Sequence, residues 1–395
     1  MSETTRIIQA LTHTCGQSTI REPIGLHEPS FADTRAWDYV KDCLDTGWVS
    51  SAGAWVSRFE QALCNTTGAK YAIAVTNGTV ALRLGLHLVG VKPGDEVLVP
   101  PLSFVATANA VQHLGATPHF VDIESGTLGM CPAALNDRLE RVCCRVDNNL
   151  INRETGRRIA AVMPVHVFGN PAEIKKLKAL SQQWGLPLVE DAAEALGSWY
   201  ENTHCGLYGD VGALSFNGNK LITTGGGGAL LTNNKLIAER ARHLSTTAKK
   251  AHQWDFEHDE IGWNDRMPNI NAALGVAQLE DIDRRLRAKM LLAETYSNSF
   301  SKFADIELIR PASNTTSNFW LNCLRFLDEQ PEQAHLKRLE VLENAHAIGL
   351  MLRPVWKLLH EQPMYRFNPR GSLSVAESQA CRLLNIPSSP QLIKA

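Results

Sequence analysis

The sequence lacks an excess of either charge: 39 Lys and Arg residues nearly balance 41 Asp and Glu residues, leaving a formal net charge of −2. A chain without a global positive field is not expected to bind nucleic acid or an anionic membrane surface. It also lacks an apolar run long enough to span a membrane. The stretch at residues 7–11 is too short for a secretory leader. We therefore expect a soluble, cytoplasmic protein.

Cysteines in paired spacing are missing as well. Nine cysteines are an odd number, none has C-x-x-C spacing, and only Cys143 and Cys144 are adjacent. This pattern predicts reduced thiols, with no disulfide framework, no zinc site and no other metal. Repeats and low-complexity tracts are absent too, and 44% hydrophobic residues are typical of a globular protein. A chain of 395 residues is long enough for a large domain and a smaller one.

Short apolar strands alternate with helical segments from residue 71 to residue 232. The predicted strands cover residues 71–76, 96–100, 119–122, 159–165, 187–190, 212–214 and 229–232. The predicted helices between them cover residues 79–89, 106–114 and 171–184. Apolar strands that alternate with helices predict an α/β fold, with a mostly parallel sheet covered by helices on both faces.

The alternation stops after residue 232. A long helix at 270–297 is expected to lead into a smaller α+β domain with strands at 318–326 and 349–355 and helices at 333–348 and 375–384. The predicted organisation is an N-terminal extension at 1–24, a large domain at 25–265, and the long connecting helix with the small domain at 266–395.

Candidate binding residues follow the ends of predicted strands, where ligands of open parallel sheets bind. Asn77, Gly78 and Thr79 follow the first strand and open a helix, so their N–H groups and the Thr79 hydroxyl can hold a phosphate. The alternative is a simple turn. Ser215 ends another strand and could bind the same phosphate. Phe104 could stack on an aromatic cofactor, although a core aromatic is the default.

Lys220 and Asp191 are the candidate catalytic residues. Lys220 precedes the four glycines at 225–228, and Asp191 ends a strand in apolar surroundings. A lysine can condense with an aldehyde, and a buried carboxylate can hold a protonated pyridine nitrogen, so the pair favours pyridoxal 5′-phosphate (PLP) as cofactor. The alternatives are an exposed turn lysine and a helix-capping aspartate. The glycines are no P-loop, because Gly-Lys-Ser/Thr does not follow them.

Six motifs occur in the order of a known family. They are Gly-Trp-Val-Ser-Ser at 47–51, Thr-Asn-Gly-Thr at 76–79, Ser-Phe-Val-Ala-Thr at 103–107, Glu-Asp-Ala-Ala-Glu-Ala at 190–195, Ser-Phe-Asn-Gly-Asn-Lys at 215–220 and Asn-Ile-Asn-Ala-Ala at 269–273. Across residues 22–390 the chain resembles the DegT/DnrJ/EryC1/StrS nucleotide-sugar aminotransferases. The resemblance implies PLP-dependent transferase fold type I, like that of aspartate aminotransferase.

The resemblance also implies roles for single residues. Lys220 matches the Schiff-base lysine, and Asp191 matches the partner of the pyridinium. Glu194 matches a position beside the cofactor's phenolic oxygen where relatives often carry Gln. Arg266 matches a residue that reaches the cofactor phosphate of a second subunit, which implies a homodimer with shared active sites. His166, in another familiar motif, is expected to be structural.

The same resemblance assigns the phosphate cup to Gly78 and Thr79 with Ser215, and ring stacking to Phe104. Segments at 26–29, 216–228 and 383–390 resemble the branch associated with legionaminic-acid and bacillosamine-type sugars. That branch implies transfer of an amino group from glutamate to the C4 ketone of a UDP-linked 4-keto-6-deoxy-N-acetylhexosamine, for surface-polysaccharide amino sugars. The alternatives are a C3-directed enzyme, a GDP- or dTDP-sugar substrate, sugar deoxygenation, and a non-catalytic PLP-binding regulator.

Overall fold

The computed structural model describes residues 2–16, 20, 22–328 and 330–393. Within these residues, the α-helices are α1 Glu3–Thr14, α2 Ala36–Thr46, α3 Ala54–Thr67, α4 Gly78–Leu88, α5 Ala106–Gln112, α6 Pro132–Val142, α7 Ile174–Trp184, α8 Lys235–Ser245, α9 Asn269–Leu279, α10 Ile282–Phe300, α11 Pro331–Ala347 and α12 Ser374–Arg382. The strands of the same residues are β1 Tyr71–Val75, β2 Glu96–Val99, β3 Thr117–Phe120, β4 Cys143–Val146, β5 Asn149–Asn152, β6 Ile159–Val162, β7 Val189–Asp191, β8 Trp199–Tyr200, β9 Thr203–His204, β10 Val211–Ser215, β11 Gly228–Thr232, β12 Ile306–Leu308, β13 Thr315–Thr316, β14 Asn322–Phe326, β15 Arg353–Pro354 and β16 Leu383–Ile386.

The large sheet has the strand order β1-β11-β10-β7 on one side and β6-β2-β3 on the other. Parallel bridges from Val162 to Leu188 and from Val165 to Asp191 join the two halves. β7 runs parallel to β10, and β2 runs parallel to β3 and β6, whereas β11 is antiparallel to β1 and β10. The predicted α/β fold with a mostly parallel sheet is therefore confirmed.

Helices cover both faces of this sheet. On one face, α4 packs Leu84 and Leu86 into a core with Val189 and Val211. On the other face, α3 and α9 pack against β1 and β10 in a separate core that contains Phe59. The alternating side chains of β1 serve both cores, as expected for a strand buried on its two faces.

The C-terminal part of the chain forms a second sheet with the order β12-β14-β16-β15, antiparallel throughout. Its core contains Leu324 of β14 and Tyr296 of α10, and α1 adds Ile7 and Leu11. The N-terminal helix thus packs against the C-terminal elements. The division of the chain at 24 and 265 remains a prediction.

Two helix predictions differ from the structure. The expected helix at 270–297 is two helices, α9 and α10. α9 and the start of α10 pack in the core of the large sheet, and α10 enters the C-terminal core with Leu292, Tyr296 and Phe300. Asp281, between them, binds Arg284 and Arg285 of the following turn. The helix expected at 171–184 begins only at Ile174, because the Ala172 N–H donates to His166 Nδ1.

The strand prediction at 318–326 was too long at its start, since β14 begins at Asn322. The side-chain amide of Asn318 instead donates to the carbonyls of Glu194 and Leu196. The strand expected at 349–355 is reduced to β15. The sequence analysis missed α3, α6, α8 and the hairpin of β4 and β5.

The nine cysteines are free thiols in the structure. In the described part of the chain, no helix is both long and apolar enough to cross a membrane.

Candidate active site

One cavity of about 340 Å³ lies at the carboxyl ends of β1, β2, β7 and β10. It brings together eight of the residues singled out from the sequence: Asn77, Gly78, Thr79, Phe104, Asp191, Glu194, Ser215 and Lys220. Thr107, Trp320 and Trp356 also line the cavity and were not predicted as site residues. Arg266 is not among the lining residues.

The start of α4 forms one end of the cavity. Asn77 caps this helix, because its Oδ1 accepts the Val80 N–H at 2.9 Å. A Cβ atom on Gly78 would lie 2.8 Å from the Cβ of Ser215, and one on Gly228 would lie 2.4 Å from the backbone carbon of Asn77. Glycine at both positions lets the helix start approach β10 and β11, so free N–H groups and the Ser215 hydroxyl form a cup suited to a phosphate.

Asp191 lies at the end of β7 and is only 4% exposed. Its Oδ2 accepts the Thr107 hydroxyl at 2.7 Å, and its Oδ1 accepts the Ala193 N–H at 3.2 Å. Thr107 is also hydrogen-bonded to Ser103 at 2.6 Å. Burial raises the pKa of Asp191, and these hydrogen bonds lower it in part. A buried carboxylate whose two hydrogen-bond donors are uncharged suits a protonated ring nitrogen.

Lys220 is held inside the cavity and is not an exposed turn residue. Its side chain is 12% exposed, and its Nζ lies 3.3 Å from Glu194 Oε1. On another side, Nζ lies 3.9 Å from the ring centroid of Trp320. The amine is therefore positioned by a carboxylate and by an aromatic face.

Glu194 is fixed by a second contact. Its Oε2 accepts the backbone N–H of Phe168 at 2.8 Å. Phe168 has a φ of 59°, a left-handed conformation that is unusual for a bulky residue and that directs this N–H towards the carboxylate. Burial raises the pKa of Glu194, whereas the charge of Lys220 lowers it.

Trp320 is anchored on three sides. Its backbone N–H donates to Asn318 Oδ1 at 2.8 Å, its indole N–H donates to the Asn219 carbonyl at 2.6 Å, and its carbonyl accepts from Lys289 Nζ at 2.8 Å. The ring also stacks on Trp356, with an interplanar angle of 16°. Because Trp320 lies a hundred positions after Lys220 in the sequence, no local motif could have linked the two.

Replacing Trp320 with leucine should lower turnover by on the order of tenfold, the scale of a buried cation–π contact. Leucine offers no aromatic face to Lys220 Nζ, so the amine loses one of the two groups that position it. Trp320→Phe keeps a ring face and should recover most of the rate. Steady-state rates and thermal unfolding midpoints would be compared for both variants. Equal rates in the Leu and Phe variants would contradict this role.

Phe104 is 52% exposed and lines the cavity, so it does not have the core position that was the default expectation. Its ring lies 6.4 Å from that of Trp356. His166 is fully buried behind the cavity: Nδ1 accepts the Ala172 N–H at 3.1 Å, and Nε2 lies 3.0 Å from Glu190 Oε2. Since Nδ1 accepts, Nε2 donates to Glu190, which agrees with the structural role expected for His166.

Arg266 lies next to β1, through a bridge to Val75, and lines a different cavity of about 590 Å³. Lys249, Lys250 and His252 line the same cavity, which is therefore rich in basic side chains. Arg266 does not reach the Lys220 cavity of its own chain, so its assignment to a partner's cofactor phosphate remains a prediction.

The residues of the Lys220 cavity fit PLP. They supply an amine, a buried carboxylate whose hydrogen-bond donors are uncharged, and a phosphate cup formed where Gly78 approaches Ser215 without a Cβ. The fold and this site define the class of the protein as a PLP-dependent transferase of fold type I.

The sequence model of the DegT/DnrJ/EryC1/StrS aminotransferase family matches residues 32–395. The chain therefore belongs to this family and is a PLP-dependent aminotransferase. It is 33% identical over 370 residues to a GDP-perosamine synthase of Escherichia coli O157:H7, covering 93% of this chain and 94% of the relative. A GDP-perosamine synthase of Vibrio cholerae is 34% identical, with 93% and 95% covered. Among solved structures, a DegT DnrJ EryC1 StrS aminotransferase from Brucella abortus superposes with a TM-score of 0.80, at 28% identity, covering 91% of both chains.

Proposed function

We propose that this enzyme transfers an amino group from glutamate to the C4 ketone of a nucleotide-linked 4-keto-6-deoxy sugar. The observation that carries the proposal is the single cavity that holds the Lys220 amine, the buried Asp191 carboxylate and the phosphate cup at Gly78 and Ser215. The GDP-perosamine synthases among its relatives support a nucleotide-sugar substrate.

When bound, PLP supplies an electron sink that stabilises negative charge on the substrate carbon. Asp191 would hold a proton on the ring nitrogen, because its carboxylate is buried and its hydrogen-bond donors, the Thr107 hydroxyl and the Ala193 N–H, are uncharged. The Gly78 and Thr79 N–H groups and Ser215 Oγ would bind the phosphate of PLP. Phe104 and Trp356 form an aromatic wall, and Glu194 lies beside the amine.

Lys220 performs the proton transfers in both halves of the reaction. With PLP bound, Nζ would act as general base toward the α-carbon proton of glutamate and as general acid that returns this proton. With the keto sugar, the same two transfers run in the opposite direction. The contacts of Nζ with Trp320 and Glu194 restrict the positions that Nζ can reach between the two transfers.

Two nucleotides are candidates for the substrate. The resemblance at 26–29, 216–228 and 383–390 favours a UDP-linked N-acetylhexosamine, whereas the two GDP-perosamine synthases favour a GDP-linked sugar. Incubation with glutamate and a panel of UDP-, GDP- and dTDP-linked 4-keto sugars, with products identified by mass and NMR, tests both. Amination at C3, or no amination of any 4-keto sugar, would contradict the proposal.

The remaining alternatives predict different behaviour of the bound cofactor. Deoxygenating relatives replace the lysine by histidine, and this chain has Lys220. A non-catalytic regulator would keep its lysine-bound visible absorbance when glutamate is added. Loss of that absorbance on addition of glutamate supports the enzyme.

The shared-site hypothesis makes Arg266 part of the partner's active site in a homodimer, where a charge-assisted contact reaches the cofactor phosphate. Arg266→Ala should then raise the PLP concentration needed for activity and leave the fold unchanged. Co-expression of Arg266→Ala with Lys220→Ala, under two purification tags, gives mixed dimers. Each mixed dimer has both lesions in one site and an intact second site.

At a PLP concentration too low to sustain Arg266→Ala homodimers, activity should therefore reappear in the doubly tagged dimer, at about half the wild-type rate because one of its two sites is whole. Homodimers of each variant, purified in the same way, are the controls. A purified mixed dimer without recovered activity would mean that Arg266 serves its own subunit.

A further inference from the structure

The Lys220 cavity contains two buried carboxylates that have different partners. Asp191 accepts the Thr107 hydroxyl and a backbone N–H. Glu194 accepts from Lys220 Nζ, at 3.3 Å. The acid that faces the reactive amine is therefore Glu194, and Asp191 is left for a different partner.

Building on the proposed function, we propose that Glu194 is the proton acceptor that converts the Lys220 ammonium into the reactive amine. One N–H bond at Nζ breaks and one O–H bond at Glu194 Oε1 forms. An ion pair thereby becomes a neutral amine and a neutral carboxylic acid, with no net change of charge and no further reactant. The lone pair freed on Nζ is what a lysine needs to condense with an aldehyde. Glu194 returns the proton when the lysine is released.

The surroundings of Glu194 suit an acceptor that gives the proton back. Burial raises the pKa of Glu194, Lys220 lowers it and the neighbouring charge of Asp191 raises it, so its carboxylate is a stronger base than an exposed one. Neutralising a buried ion pair also removes a desolvation cost. The ring of Trp320, on another side of Nζ, favours the ammonium and so opposes complete transfer.

The geometry fixes which oxygen accepts. The Phe168 N–H occupies Oε2 at 2.8 Å, which leaves Oε1 directed at Lys220 Nζ. Glu194→Gln keeps the shape of the side chain but cannot take a proton. In either orientation of the side-chain amide of this variant, the NH₂ group faces another hydrogen-bond donor, which is either Nζ or the Phe168 N–H.

The test measures cofactor loading and needs neither glutamate nor sugar. Full-length protein stripped of PLP is mixed with PLP, and the rise of the lysine-bound visible absorbance is followed between pH 6 and pH 9. Glu194→Gln should load on the order of tenfold more slowly at pH 7, the scale of lost general-base assistance. The deficit should shrink as pH rises, because hydroxide then removes the proton. Glu194→Asp should be intermediate.

Glu194→Ala distinguishes a proton acceptor from a residue with a purely structural role, because a structural role would not respond to an added carboxylate. Formate, a small carboxylate, should restore part of its loading rate, whereas equal chloride should not. A pH-independent deficit without formate rescue, or wild-type loading by Glu194→Gln, would overturn the proposal. The proposed function can fail separately: a protein that loads PLP in this manner yet aminates no nucleotide sugar would contradict only the function.

Discussion

Replacing Lys220 with alanine should abolish transamination and leave the folded protein intact. Nζ is the group proposed both to bind the cofactor covalently and to carry the proton, and alanine has no substitute for either task. The change leaves Glu194 Oε1 without the Lys220 contact at 3.3 Å. That loss should cost little stability, because burial favours a protonated Glu194 once the lysine charge is gone. Turnover and the thermal unfolding midpoint are the measurements.

Lys220→Arg is the matched control. Arginine keeps a cation beside Glu194 and over Trp320, but its guanidinium is not deprotonated in proteins and cannot condense with an aldehyde. Its activity should therefore be as low as that of Lys220→Ala, at a stability closer to wild type. Steady turnover by purified Lys220→Ala without added amine would show that another group does the chemistry.

The sequence was sufficient to place most of the cavity because strand ends converge. Asn77, Asp191 and Ser215 each follow or end an apolar strand, and parallel strands bring their carboxyl ends to one edge of the sheet. The local pattern carries no information about strand direction, however. β11 is antiparallel to both of its neighbours, but its apolar sequence is equally compatible with a parallel strand.

Residues that join the site through tertiary packing could not be found from the sequence. Trp320 lies in a segment that was expected to be strand, and its role follows only from contacts with Asn219 and Lys289. The left-handed backbone of Phe168 could not be predicted either, because its N–H donates to the carboxylate of Glu194, which lies 26 positions later in the sequence. The chain passes from the core of the large sheet to the C-terminal core within α10, and helical periodicity does not indicate where a helix breaks before such a change.

Asp191→Asn should lower turnover by on the order of a hundredfold or more, as expected when a charge that stabilises the reaction is removed. Asparagine keeps the shape of the side chain, and the phosphate cup at Gly78 and Ser215 remains, so part of the cofactor should stay bound. Thr107→Val is the control, because it removes the hydroxyl that Asp191 Oδ2 accepts and keeps the carboxylate. Its loss should be on the order of tenfold, near the lower end of the value of one hydrogen bond to a charged group.

Asp191→Asn, which lowers turnover, should raise the stability of the cofactor-free protein. Burial raises the pKa of Asp191 above its unfolded value. The contribution of this group to the free energy of unfolding is therefore complete below the unfolded pKa of about 3.9 and is lost as pH rises through the folded pKa. The side chain of asparagine does not ionise, so Asp191→Asn loses no free energy of unfolding in this way. The unfolding midpoint of cofactor-free Asp191→Asn should accordingly rise relative to wild type as pH is raised above about 4.

Activity and stability thus separate the two interpretations of Asp191. A residue that only caps the Ala193 N–H would give near-normal rates as asparagine, since an amide oxygen accepts the same hydrogen bond. A residue that holds a ring proton must be ionised, so it has to bear the cost of a buried charge. Near-normal turnover by Asp191→Asn would establish the cap and exclude the catalytic role, whatever the change in the unfolding midpoint.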